Sequence, residues 1–193
     1  MKTLTTLIIL FLFFTANAQF PIDSESSSVV YTDVIELSDM DKATIFEKAK
    51  FWMISTLKSG DNMVELDGSS SDKIVGTGNI VLDKLQFGIL KEKNTSMYSN
   101  AILNFKFIVL VKDNKIKYIV KNFDLVFSHA HYSSVHSNLT NLKDCIVPSS
   151  VYYKNAKTNE NFAAVNTRYI DSVLKSMIKN FTTSLKKEDT DDW

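Results

Sequence analysis

The 193-residue sequence contains very little cysteine and very little arginine. Cys145 is the only cysteine, so no disulfide can form within the chain, and a chain of this length can bury a sufficient core without one. Arg168 is the only arginine among 22 basic residues, which are balanced by 22 acidic residues. Nucleic-acid-binding proteins usually carry a basic excess and arginines placed for bidentate contacts. The composition therefore argues against nucleic-acid binding.

Long apolar runs are also scarce, and the prominent one lies at the start of the chain. The run 7–14 is too short to cross a bilayer and follows the basic residue Lys2, and Ala16-Asn17-Ala18 places small residues where a signal peptidase reads them. These features predict a signal peptide over residues 1–18, cleaved before Gln19; the alternative is a retained anchor. We therefore expect an exported, soluble protein without a transmembrane segment, located in the periplasm or outside the cell.

Several common catalytic and cofactor motifs are missing as well. The sequence has neither a Gly-x-Ser-x-Gly nucleophile elbow nor a phosphate-binding loop. Gly76-Thr77-Gly78 lacks the third glycine and the following helix of a dinucleotide fingerprint. We therefore assign no catalytic and no cofactor-binding residues, and we expect no cofactor.

Alternating side chains identify the stretch from Ala101 to Ser128 as a β-hairpin. Every odd position from Ala101 to Val111 is apolar, which indicates a strand with one buried face. Asp113-Asn114 tolerates positive φ angles and predicts a tight turn that places Lys112 opposite Lys115.

The same pairing predicts a β-bulge in the second strand of this hairpin. Without interruption, it would place Phe105 opposite Asn122, which is a poor match on a buried face. One extra residue near Lys121 or Asn122 pairs Phe105 with Phe123 instead and restores apolar pairs along the rest of the hairpin.

The remaining segments complete the order strand, helix, four strands, helix. The predicted elements are a strand at 29–37, a helix with Ser38 as N-cap and Asp41 three residues on, strands at 63–67 and 73–82, a charged connector at 83–100, the two hairpin strands, and a helix at 167–185. Each helix carries one apolar stripe. We therefore predict an α+β class fold, with both helices packed on one face of an antiparallel sheet.

The predicted domain spans residues 29–185 as a single βαββββα unit. Residues 19–28 are expected to form a disordered leader and 186–193 a polar tail. The segment 129–166 is long and insertion-like, and such a connection is either functional or partly ordered in its own right.

Gly76 and Gly78 lie on one face of the predicted strand 73–82. Two glycines on a strand face suggest that another part of the molecule comes close. Either the helix that carries Phe46 and Trp52 crosses the sheet here, or the glycines form the floor of a ligand site.

Four short motifs, in this order, resemble a bacterial family, the domain of unknown function 4468 with TBP-like fold. They are Tyr31-Thr-Asp-Val-Ile-Glu-Leu37, Ala49-Lys-Phe-Trp52, Ile74-Val-Gly-Thr-Gly78 and Val111-Lys-Asp-Asn-Lys-Ile-Lys-Tyr118. The resemblance covers about residues 29–128, and the helix at 167–185 completes it. It implies an exported βαββββα domain of unestablished function, so no catalytic residues are carried over. The TATA-box-binding protein uses two tandem units on DNA, whereas this chain has one unit and no basic excess, so DNA binding is not inferred.

All three histidines lie close together, at His129, His131 and His136. On a strand, His129 and His131 would point the same way and suit zinc or copper, with Asp124 or Cys145 completing the site. Cys145 would also suit a Cys–His nucleophilic pair. The alternative is a partly exposed strand end that carries imidazoles, with the cysteine packed among apolar neighbours.

Two functional hypotheses follow. The first is an exported, non-enzymatic binding or envelope-associated module whose partner is an envelope protein, a glycan or a small ligand. Its candidate surface is the helix-free sheet face with Lys106, Ile108 and Leu110 (and Tyr118, whose side is left open), together with segment 129–166. The second hypothesis is a metal-dependent or Cys-dependent hydrolase that uses the His/Cys cluster of residues 129–145.

Overall fold

Strands and helices follow the predicted order in a computed structural model that describes residues 20–57, 65–66, 72–90, 95–127, 140–141 and 159–187. The strands are β1 (Tyr31–Glu36), β2 (Glu65–Leu66), β3 (Lys73–Leu90), β4 (Thr95–Lys112), β5 (Lys115–Phe127) and β6 (Thr140–Asn141). The helices are α1 (Lys42–Leu57), between β1 and β2, and α2 (Asn159–Lys186), after β6. The βαββββα order is confirmed, with β6 as an additional short strand within the segment 129–166.

The described strands form one antiparallel sheet in the order β1-β5-β4-β3-β2, with β6 also paired to β5. Strands β3, β4 and β5 are neighbours both in sequence and in space, because tight hairpin connections favour pairing of successive strands. Strand β1 comes from the N-terminal side and pairs with β5, so β5 lies in the interior of the sheet, as does β4 between β5 and β3.

The β4–β5 turn has the predicted geometry. Lys112 pairs with Lys115, and Asn114 within the turn has a φ of 61°. Asparagine tolerates this left-handed conformation better than most residues, which explains why the chain reverses here.

The predicted β-bulge is also present. Phe105 on β4 opposes two residues of β5, Asn122 and Phe123, where the register shifts. Asn122 has a φ of 57°, and the ring centroid of Phe123 lies 6.3 Å from that of Phe105. The extra residue keeps the apolar side chains of both strands on the same face of the sheet.

Both helices pack on one face of the sheet around a cluster of three aromatic rings. The ring centroid of Trp52 on α1 lies 5.3 Å from that of Phe107 on β4 and 4.8 Å from that of Phe181 on α2. The centroids of Phe107 and Phe181 lie 5.1 Å apart. The indole N–H of Trp52 donates a hydrogen bond to Asn180 Oδ1 at 2.7 Å, so its polar atom is satisfied. The predicted one-sided arrangement of the helices is confirmed.

A buried polar group joins β1 to α2. The hydroxyl of Tyr31 donates a hydrogen bond to Asp171 Oδ1 at 2.8 Å, and Lys175 Nζ lies 2.7 Å from Asp171 Oδ2. Burial, together with this hydrogen bond to Asp171, raises the pKa of Tyr31 well above its usual value. The group ties the first strand to the last helix.

The start of α1 differs from the prediction. Asp41, and not Ser38, caps the helix: its Oδ1 accepts a hydrogen bond from Thr44 N at 2.9 Å and its Oδ2 accepts one from Thr44 Oγ1 at 3.1 Å. These hydrogen bonds hold the pKa of Asp41 below its usual value. The residues before the cap dock on the β4–β5 turn instead, where Leu37 N donates to Asn114 O at 2.7 Å.

The charged connector predicted at 83–100 is wrong, because β3 and β4 pair through most of this stretch. Their register shifts between Leu82 and Leu85 and again between Gln86 and Gly88. Each shift changes which residues share a face, so the period-two pattern does not continue through this stretch even though the backbone ladder does.

Two further boundaries differ from the predictions. Helix α2 begins at Asn159 rather than Thr167, although asparagine is a weak helix former. The disordered leader expected over 19–28 is not found at 20–28: Phe20 is only 2% exposed, and Ile22 forms a β-bridge with Val29.

Candidate functional site

The sheet has a covered face and an open face, because successive side chains of a strand point to opposite sides. On β4, Phe105, Phe107 and Val109 are buried on the covered face, beneath the helices. The open face is the opposite side, formed by alternate residues of β3, β4 and β5, where Lys106 and Ile108 are only half-buried. Both helices lie on the covered side, so neither described helix shields the open face.

Three of the four sheet residues predicted for a binding surface lie together on the open face: Lys106, Ile108 and Leu110. Tyr118, whose side the sequence left undecided, lies on the covered face. Its ring centroid is 6.2 Å from that of Phe181, and its pairing with Val109 explains this orientation. Burial, and secondarily the charge of Asp33, raises the pKa of Tyr118.

The register arranges the open face in rows of alternating character. Along the strands, the rows are Val81–Ile102–Val126, Asn79–Asn104–Asp124, Thr77–Lys106–Lys121 and Val75–Ile108–Ile119. A row of polar amides and a row of basic residues are thus enclosed between two aliphatic rows. The aliphatic rows are partly open to solvent, with Val81 65% and Ile102 40% exposed.

The β-bulge lies between the amide row and the basic row. At this point β5 has one residue more than β4, and that residue, Asn122, is exposed. Bulges of this kind bend a strand and redirect side chains, and they occur frequently beside functional sites. Here the bulge adds a third asparagine near Asn79 and Asn104.

A depression of about 340 Å³ lies on the open face at the bulge. Its polar lining consists of Thr77, Asn79, Asn104, Lys106, Asn122 and Asp124. The volume is at the lower end of the range typical for small-molecule sites, about 300–1,000 Å³. We define this depression as the bulge pocket.

Lys106, which lines the bulge pocket, faces Lys121 on the neighbouring strand, beside the pocket. Lys106 and Lys121 are directly opposed on neighbouring strands and both are half-buried. In the described part of the chain neither forms a salt bridge within 4 Å. The pKa of Asp23 is lowered mainly by a hydrogen bond from the Ser26 side chain, and the charge of Lys121 makes a minor contribution. The lining of the pocket itself contains one lysine and one carboxylate, Lys106 and Asp124, and Lys121 adds a second positive charge beside it.

A second cavity, of about 280 Å³, lies on the covered side between the helices, where Leu57, Ile80, Val173 and Met177 line it. It is mainly apolar and borders the end of α1, beyond which residues 58–64 are not described. It therefore belongs to the helix–sheet interface.

The packing explanation is confirmed for Gly78. A Cβ atom at this position would lie 2.7 Å from Phe105 Cζ and 3.0 Å from Leu57 Cδ2. The close neighbours are thus a residue of the paired strand and Leu57, the last residue of α1, which is the helix that carries Phe46 and Trp52. Gly78 lets α1 approach the sheet closely.

Most of the other predicted site residues lie outside the described residues, and the remaining one, Asp124, lines the bulge pocket. His129, His131, His136 and Cys145, like the predicted signal peptide, fall in the part of the chain that is not described. Asp124 is described, and it pairs with Asn104 on the open face. Within the described ranges no group of three His, Cys, Asp or Glu side chains is placed to hold a metal ion.

The sequence reasoning missed most of the bulge pocket. The sequence predicts the bulge and the position of Lys106 on the open face, but the patterns within single strands do not predict that Asn79, Asn104 and Asn122 lie beside them. The available signal was the register itself: extending the β4–β5 pairing to β3 would have placed Asn79 beside Asn104. Polar residues on a solvent-facing strand surface carry no other sequence signal.

Neither of the two described helices is long and apolar enough to span a membrane.

No curated protein matches the chain. In structure, the chain is similar to a DUF4468 family protein from Bacteroides ovatus, with 13% sequence identity and a TM-score of 0.57 over 91% of this chain and 94% of that one. It is also similar to a TBP-like protein from Parabacteroides distasonis, with 12% identity and a TM-score of 0.54 over 84% of this chain and 96% of that one.

At these identities, the two structures establish a shared fold. The family model described as a domain of unknown function (DUF4468) with TBP-like fold matches residues 31–125, which run from β1 into β5. This segment includes the four motifs that suggested the resemblance, which is thereby confirmed. Over residues 31–125 the chain therefore matches the DUF4468 family model, and it has the TBP-like fold of that family.

Proposed function

We propose that this protein is an exported, non-enzymatic binding module that holds its partner on the open face of the sheet. The observation that carries the proposal is the arrangement of that face, where aliphatic rows enclose a polar pocket that is bordered by the opposed lysines Lys106 and Lys121. Binding sites combine apolar contact area with a few convergent polar groups in this way. The described helices stabilise the opposite face, and neither of them covers the open face.

Export is part of the same proposal and rests on the sequence of residues 1–18. A basic start, an apolar run and small residues before Gln19 are the features by which signal peptides are recognised. We place the mature protein in the periplasm or outside the cell, associated with the envelope through its partner. The segment 129–166 borders the sheet through β6, which pairs with β5, and it is a second candidate contact.

Export is tested by N-terminal sequencing of the protein recovered from cell fractions of its native host. The expected result is a chain that begins at Gln19 in the periplasmic or extracellular fraction. A chain that retains Met1 and stays in the cytoplasm would refute export.

Binding is tested by co-sedimentation with envelope fragments isolated from the same host. The double variant Lys106→Ala/Lys121→Ala, altered on the open face, is compared with Lys179→Ala/Lys186→Ala, altered at exposed positions of α2. Both variants lose two positive charges. We expect the open-face variant to reduce the sedimented fraction at least tenfold and the helix variant to have little effect. Equal behaviour of the two variants, or no sedimentation of the unaltered protein, would contradict the proposal.

A further inference from the structure

The bulge pocket offers a particular set of hydrogen-bonding groups. Asn79, Asn104 and Asp124 are paired in register across three strands, and Asn122 lies beside them on the bulge. Each amide supplies both donors and an acceptor, and the carboxylate accepts from several directions. Neighbouring hydroxyl groups of a ligand, which donate and accept at once, match such a set.

The lysine pair at the other side of the pocket, with Lys106 in its lining and Lys121 next to it, favours a different chemical group. Like charges directly opposite each other on neighbouring strands destabilise a sheet. Lys106 and Lys121 are in this position, and they are half-buried, so their repulsion is less screened than at a fully exposed site. A single negative charge bound between them would relieve this repulsion.

The spacing of these groups fits one sugar residue. Side chains two positions apart on a strand are separated by roughly 6.6 Å, and neighbouring strands by about 4.8 Å. A six-membered sugar ring that carries a carboxylate spans about this distance between its acid group and its far hydroxyls. Asp124 would repel the carboxylate at one end while the lysines attract it at the other, so the pocket also sets the orientation of the ring.

We propose that the bulge pocket binds an acidic sugar residue, of the uronic acid type, within a polysaccharide. This inference rests on the proposed function and names its ligand class. Lys106 and Lys121 hold the carboxylate, and Asn79, Asn104 and Asp124 bind the ring hydroxyls. The aliphatic rows on both sides contact the C–H surfaces of the adjoining sugar units, because they continue the same face along the strands.

The first test is an NMR titration of the purified protein with three small probes. Methyl glucuronide carries both the acid and the hydroxyls, methyl glucoside lacks the acid, and acetate lacks the hydroxyls. We expect methyl glucuronide to shift the backbone amide signals of Asn79, Asn104 and Asn122, and to bind at least tenfold more tightly than either of the other probes. Equal affinity for methyl glucoside or acetate, shifts confined to other parts of the protein, or no shifts with methyl glucuronide would each overturn the inference.

The second test separates specific recognition from general attraction of anions. The double variant Lys106→Gln/Lys121→Gln should bind methyl glucuronide at least tenfold more weakly. The control Lys73→Gln/Lys117→Gln removes the same charge from rows further along the open face and should change the affinity less than twofold. An equal loss in both double variants would overturn the inference. Unchanged amide spectra of the free variants establish that each one is folded.

The outcome is distinguishable from that of the proposed function. If methyl glucuronide fails to bind while envelope co-sedimentation still depends on Lys106 and Lys121, the ligand class is wrong and the binding role stands. If co-sedimentation does not depend on these lysines, the proposed function itself fails.

Discussion

The two faces of the sheet are built from the same strands and differ in almost every other respect. Along β4, Phe107 is fully buried among the rings of Trp52 and Phe181, whereas its neighbour Lys106 is half-buried at a polar pocket. Because side chains alternate, neighbouring positions in the sequence serve opposite tasks. The comparison predicts that substitutions at adjacent positions of β4 differ strongly in their effect on stability.

The β-bulge is the place where the two faces depend on each other. On the covered face, the extra residue keeps Phe123 packed near Phe105 and Tyr31. On the open face, the same residue adds Asn122 to the pocket. A feature that preserves the core therefore also shapes the candidate site.

The largest expected contrast between the faces is at Phe107 and Lys106. Phe107→Ala removes the ring that contacts both helices and should lower the free energy of unfolding by about 3–5 kcal/mol. Lys106→Ala, on the other face, should change it by less than about 0.5 kcal/mol. Urea denaturation followed by circular dichroism measures both. If both variants lost a similar free energy of unfolding, the two faces would not differ in their contribution to stability.

Tyr31 and Thr32 provide a second contrast, between two hydroxyl groups on one strand. Tyr31→Phe leaves the buried Asp171 without one of its partners and should cost about 1.5–3 kcal/mol. Thr32→Val removes a hydrogen bond from Thr32 Oγ1 to Tyr118 O on the open side and should cost about 0.5–1 kcal/mol. A larger loss in Thr32→Val would show that the tie between β1 and α2 is of little importance.

Because the pKa of Tyr31 is raised in the folded protein, the contribution of this residue to stability depends on pH. The phenol ionises in the unfolded chain near its ordinary pKa of 10.0 but resists ionisation in the folded protein. Its contribution to stability is therefore complete below about pH 10 and is lost as the pH rises above that value. Between about pH 9 and 11, the free energy of unfolding should therefore decrease less for Tyr31→Phe than for the unaltered protein.

Gly78 and Asn79 test how closely α1 approaches the sheet. Gly78→Ala places a methyl group against the ring of Phe105 and the side chain of Leu57, and overpacking of this kind costs about 1–3 kcal/mol. Asn79→Ala, on the open face, should leave stability within about 0.5 kcal/mol of the unaltered value. A neutral Gly78→Ala in thermal denaturation would mean that the helix can move away at no cost.

The smallest contrast lies at the bulge itself. Asn122→Val introduces a β-branched residue at a positive φ angle, which should cost about 1–2 kcal/mol. Lys121→Val, on the strand beside it, suits an extended backbone and should be close to neutral. If the two valine variants were equally stable in urea denaturation, the left-handed conformation at Asn122 would not constrain the sequence.

Sequence reasoning succeeded where the core imposes strict alternation. The turn at Asn114 and the bulge near Asn122 were both predictable, because any other register would have placed polar side chains against Phe105 and Leu103. Both helices and their buried stripes were predictable for the same reason. In each case a few large apolar residues decided the outcome.

It failed where contacts distant in sequence decide the structure. Ser38 is a reasonable N-cap by local preference, but the chain continues to Asp41 because Leu37 hydrogen-bonds to Asn114 in a distant turn. The paired strands beyond Leu82 are held by backbone hydrogen bonds, whose register shifts disturb the side-chain pattern. The bulge pocket was missed because its asparagines converge only once three strands are aligned.

The pairing of β1 with β5 has a consequence for the order in which the molecule assembles. Hairpins β3–β4 and β4–β5 close between adjacent segments, whereas Thr32 meets Tyr118 across 86 positions and Tyr31 meets Asp171 across 140. Such distant closures are entropically costly and slow until other contacts have formed. During synthesis, β1 can therefore pair only after β5 has been made, and its hydrogen bond to Asp171 can form only after α2 has been made.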